Sequence, residues 1–216
     1  MPFDARQANI LPSMYQHTPY AVAASDGLAL RQKVSQELQQ EMLAANRGAA
    51  NAQDFATQTR RMASLMREQY RLDFVDVGDW DTHVKQGSTQ GPLANNLVNL
   101  GQGLAAYAEA MGEHWNNSLV IVVSEFGRTF RENGAKGTDH GHDTVYWVLG
   151  GAVRGGRLAG EQVAVNAQSL LQNRDYPVLN NYRDLLDGLL AKTWGLTGTQ
   201  VQEVFPHSRP NALGLV

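Results

Sequence analysis

The sequence predicts an α/β fold, a mostly parallel sheet flanked by helices. Two observations carry this. Short β-branched runs alternate with long stretches of helical period, the signature of βαβ connections. One of those runs, Leu119-Val120-Ile121-Val122-Val123, is apolar throughout, as suits a central strand covered on both faces.

Residues 1–27 read as an irregular lead-in punctuated by Pro2, Pro12 and Pro19. Residues 28–216 read as one α/β domain. Leu30, Val34, Leu38 and Met42 recur every four residues on one helix face, and Arg47-Gly48 ends that helix. Asn51 to Asp54 starts a second, with Phe55, Met62, Leu65 and Met66 on its buried side. Leu72-Asp73-Phe74-Val75-Asp76-Val77 alternates polar and apolar residues as a strand. The clearest helix follows, through Leu93, Leu97, Leu100, Leu104, Tyr107, Met111 and Trp115. Val145-Tyr146-Trp147-Val148-Leu149 is a third strand, closed by two glycines. Tyr182, Leu185, Leu186, Leu189 and Leu190 mark a last helix.

Composition narrows the function. The net charge of -3 gives no electrostatic case for a nucleic-acid partner. Absence of cysteine excludes disulfides and thiolate-ligated metals. No apolar run approaches the roughly 20 residues needed to span a bilayer. The start, MPFDARQANILPSMYQ, lacks the charged and apolar regions of a signal peptide.

In open parallel sheets, ligands bind beyond the carboxyl ends of strands. There the sequence places Gly78-Asp79-Trp80-Asp81-Thr82-His83, then Ser124-Glu125-Phe126-Gly127-Arg128-Thr129. Before the third strand comes Gly137-Thr138-Asp139-His140-Gly141-His142-Asp143. Carboxylates with neutral imidazoles are ligands for zinc and similar ions, and a carboxylate-rich set also suits calcium or manganese. The metal candidates are Asp81, His83, Glu125, Asp139, His140 and His142, with Asp79 in reserve because it lies four residues before His83. Arg128 is a candidate for binding an anion.

Each residue also has a purely structural reading. Asp81 suits a helix cap or a turn, and His140 suits a loop histidine bonded to backbone. Glu125 and Arg128 suit an ion pair. Near a helix C-terminus, His114 is favoured by the helix dipole. Coincidence at three places favours the metal.

These motifs, with Gln86, Glu132-Asn133-Gly134, Val148-Leu149-Gly150-Gly151-Ala152-Val153 and the finish Val204-Phe205-Pro206, resemble the domain-of-unknown-function 1501 family in order and spacing. The resemblance runs from about residue 70 to the end. It implies the alkaline-phosphatase and sulfatase superfamily, and so a large parallel-sheet fold that is N-terminally incomplete in this chain. The implied activity is metal-dependent hydrolysis of small phosphate or sulfate esters, with the nucleophile segment lacking from this chain. Asp81 and His83 match the Asp-Thr-His ligand pair, Glu125 the acidic residue after a central strand, and Asp139 and His140 the Asp-His pair. His142 falls where the family varies. Many members carry an export signal, which implies a periplasmic or extracellular home. A reading from another class is a non-catalytic exported binding or assembly module that keeps the metal site for structure.

Overall fold

The computed structural model describes residue 10 and residues 12–45, 55–68 and 70–216, with backbone alone at parts of the first helix. Two compact units divide the chain, residues 1–52 and 53–216.

The first unit holds a helical turn at residues 12–15 and helix α1, Ala21–Ala45. This helix contains the Leu30–Met42 stretch whose four-residue repeat predicts it. The side chains of that repeat lie outside the described residues, as do the expected stop at Arg47-Gly48 and the start at Asn51 to Asp54.

In the second unit, α2 (Phe55–Glu68) packs against α3 (Pro92–Met111). The contact depends on a missing side chain. Phe55, 6% exposed, lays its ring where a Cβ on Gly103 would come within 2.1 Å of it. Beside it the Thr59 hydroxyl donates to the Gly103 carbonyl at 2.8 Å, which satisfies a buried polar group. Proline at the first position of α3 suits a place where no N–H is needed. Gly112 (φ 54) ends the helix and turns it into a 3-10 segment, Gly112–Asn117. His114 and Trp115 therefore lie beyond the α-helix proper.

Strand β1 (Val120–Val122) pairs antiparallel with β4 (Trp147–Leu149), with Ile121 opposite Val148. Neighbouring residues of β1 face opposite ways. Val120 joins Ala63, Tyr107 and Met111 from α2 and α3, whereas Leu119, Ile121 and Val148 join Leu189, Ala212 and Leu215. The second cluster belongs to α4 (Tyr182–Trp194) and the C-terminal segment. Burial of Leu189, with no exposed surface, contributes about 1.5–3 kcal/mol. The Asn181 side chain caps α4, and Gly195 (φ 65) ends it in the left-handed conformation. Helix α5 (Gly198–Val204) opens on a Thr197/Gln200 capping box.

The expected α/β architecture, with its alkaline-phosphatase-like parallel sheet, is not the fold. Among the described residues helix predominates, and the four short strands form two separate two-stranded antiparallel sheets. The run Leu72–Val77 forms no strand, and Leu72 and Phe74 are 71% and 84% exposed. Alternation of polar and apolar residues favours extended backbone, but it does not name the hydrogen-bonding partner that makes a strand. Likewise, the apolar run at β1 was compatible with a parallel or an antiparallel neighbour. Its two-sided burial comes from helices and a tail around a two-stranded ribbon.

Candidate metal centre

Strand β2 (Gly127–Arg128) pairs antiparallel with β3 (His140–Gly141), which sets Arg128 opposite His140 and Gly127 opposite Gly141. Both sequence segments read as loops, so this ladder was not anticipated. Glycine permits it: a Cβ on Gly127 would stand 1.4 Å from the Asp143 carbonyl oxygen.

The 81–83 segment is fastened beside the ladder. Thr82 and Thr138 both donate to Gln86 Oε1, at 2.8 and 2.7 Å. Asn133 donates to the His83 carbonyl at 3.0 Å, and its own amide oxygen accepts from the N–H groups of Ala135 and Gly137. Gly137 lies so close that a Cβ there would come within 2.2 Å of the His83 carbonyl oxygen. From α3, Asn96 donates to the Asp79 carbonyl at 2.7 Å.

This scaffold brings three potential ligands together. Asp81 Oδ1 lies 2.7 Å from His140 Nε2 and 3.1 Å from His83 Nε2, and the two imidazole nitrogens are 3.2 Å apart. The side chains of Asp81, His83 and His140 are 62%, 40% and 49% exposed, so one side of the group is open. The His140 ring stacks on Phe126 with centroids 3.9 Å apart, which fixes its plane. A tetrahedral zinc ion with bonds of about 2.0–2.1 Å separates its ligand atoms by about 3.3 Å. Two edges of the triangle are close to that, and the third, at 2.7 Å, must open by roughly 0.6 Å. One carboxylate oxygen and two imidazoles make a donor set that fits a divalent metal.

Hydrogen bonding from His140, and then the Arg128 guanidinium, holds the Asp81 carboxyl below the usual carboxylate range, against a desolvation that pushes it up. Asp139 is also lowered, first by the hydrogen bond from Asn133 and then by His83.

The other candidates stand elsewhere. Asp139 Oδ1 accepts from Asn133 at 2.9 Å and lies 3.6 Å from His83 Nδ1, so it faces the outer nitrogen of His83 and not the group. Glu125 is exposed and outside the group. His142 turns to Asp175, Nδ1 to Oδ2 at 2.6 Å. Asp175 is 1% exposed, and nothing in the sequence marked it as a partner. Asp79 is exposed and takes a left-handed φ of 71°. Arg128 does not stand free: Nη1 donates to Asp81 Oδ1 at 2.8 Å, Nε donates to Thr138 Oγ1 at 3.0 Å, and Nη2 donates to the Thr138 carbonyl.

Together these features define a helix-rich domain with an open Asp-His-His group on a glycine-shaped ladder. The chain belongs to the family described as Protein of unknown function (DUF1501), whose model matches residues 3–205. No curated protein and no solved structure matches it.

The ester-hydrolase reading implied by resemblance does not survive the structure. The sheet that would carry that chemistry is replaced by helices and two small ribbons. Of the hydroxyls within the motifs, Thr82 and Thr138 donate to Gln86, and Ser124 and Thr129 donate to the backbone carbonyls of Phe126 and Arg131, so none donates to a base. Among the described residues, no helix is long and apolar enough to cross a membrane.

Proposed function

We propose that this domain is a non-catalytic binding or assembly module whose divalent-metal centre, held by Asp81, His83 and His140, serves its structure. One observation carries the proposal: ligand atoms from residues separated by 57 and 59 positions lie within 4.8 Å of one another. An ion there would tie the 81–83 segment to β3 and add its binding free energy to folding. The ion would also polarise any anionic group that reached its open side, such as a carboxylate on a partner.

Two imidazoles and one carboxylate favour zinc or a neighbouring transition ion. Calcium prefers six to eight oxygen ligands. The exported setting belongs to the same proposal, and fractionation of cells expressing the native gene tests it.

Zinc titration with elemental analysis and thermal melting tests the centre. The expected result is one equivalent of retained zinc and a raised Tm that a chelator reverses. A panel of aryl phosphates and sulfates tests the non-catalytic part. Turnover that disappears in His140→Ala would overturn it.

A further inference from the structure

Asp81 Oδ1 is shared in an unusual way. Both imidazole Nε2 atoms that would hold an ion approach it, and so does a guanidinium nitrogen of Arg128, at 2.8 Å. A carboxylate oxygen offers two lone pairs, so it cannot serve the ion, the guanidinium and an imidazole N–H at once.

Arg128 is also poorly able to leave. Its Nε and Nη2 are held by Thr138, whose hydroxyl donates to Gln86 and whose N–H donates to the Thr82 carbonyl. The side chain is 24% exposed, so solvent screens its charge only in part. A guanidinium cannot lose its proton to relieve repulsion, as a lysine or histidine can.

We propose that Arg128 is the resident counter-cation of this centre, competing with the divalent ion for Asp81 and setting metal affinity well below what the three ligands alone would give. The inference rests on the reading that Asp81, His83 and His140 hold a divalent ion. Arg128 neutralises Asp81 and keeps the metal-free ligands assembled. An entering ion must displace the Nη1 contact and tolerate the remaining positive charge. Ions that bond strongly to two imidazole nitrogens offset that repulsion. Hard ions, which depend on carboxylate charge, do not, so Arg128 also selects against calcium.

Calorimetric titration of the full chain with zinc chloride or calcium chloride compares wild type, Arg128→Gln and Arg128→Lys, with circular-dichroism melts to check folding. Arg128→Gln should bind zinc at least about tenfold tighter, and Arg128→Lys, which keeps the charge, within about threefold of wild type. Zinc binding by a folded Arg128→Gln that is no tighter than wild type overturns the inference while leaving the metal centre intact. Absence of zinc binding in every form removes the centre itself, and the inference with it. Should Arg128→Gln not fold, the wild-type Arg128 guanidinium signals in an ¹⁵N spectrum decide. They should move as zinc is added, and signals unmoved at saturating zinc overturn the inference.

Discussion

Asp81 Oδ1 stands 2.7 Å from His140 Nε2, although 59 residues separate the two in sequence. That contact brings a carboxylate and an imidazole from different structural elements close enough to share one ion. It also predicts which substitutions abolish cation binding and which leave it alone.

Removal of any one of the three ligands should be severe. Asp81→Ala, His83→Ala and His140→Ala should each weaken zinc binding by more than about 100-fold, beyond the 10- to 100-fold typical of outer partners. Glu125→Ala should leave it unchanged, because Glu125 stands outside the group. Zinc titration of the four variants checks both statements.

Acid should release the metal. Both imidazoles must be unprotonated to ligate, so affinity falls as pH falls. Asp81, already held below the usual carboxylate range by its hydrogen bond from His140, stays ionised through that window. Titrations at a series of pH values should therefore show loss that follows imidazole protonation.

Asn133→Ala should raise the Asp139 carboxyl toward its ordinary value, since the Asn133 hydrogen bond is the main cause of its lowering. A carboxyl lowered by folding stabilises the fold above its unfolded value, and that contribution is lost as pH falls through the folded value. The variant should thus lose less stability on acidification than wild type. Carboxyl NMR titration and acid-unfolding curves check this.

Gly137→Ala should damage the centre without touching a ligand. Its Cβ would meet the His83 carbonyl oxygen at 2.2 Å, and either backbone must shift. About 1–3 kcal/mol of stability should be lost, as in other overpacked sites, together with zinc affinity. Gly103→Ala, which drives a Cβ into the Phe55 ring, should cost a similar amount but leave zinc affinity unchanged. Denaturant melts and zinc titrations separate the two.

His142→Ala should lower stability by about 1–3 kcal/mol, because buried Asp175 loses its 2.6 Å partner and is left with the longer contact to Arg174. Metal affinity should stay near wild type, since His142 faces Asp175 and not the Asp-His-His group. The same pair of measurements applies.

By itself, the sequence determined the local features. Apolar residues at helical spacing marked α1, α3 and α4, because amphipathic period is written in neighbouring residues. The motif loops pointed to Asp81, His83 and His140 as ligand types, and their chemistry gave the expectation of a divalent metal. Tertiary structure alone decided the partners. Whether Leu72–Val77 became a strand depended on finding an edge to bond, and it found none. Glu125, Asp139 and His142 carry the same chemistry as the three that meet, yet their directions depend on the β2–β3 register, on Asn133 and on buried Asp175. Distances between residues far apart in sequence come from packing, and no local pattern encodes them.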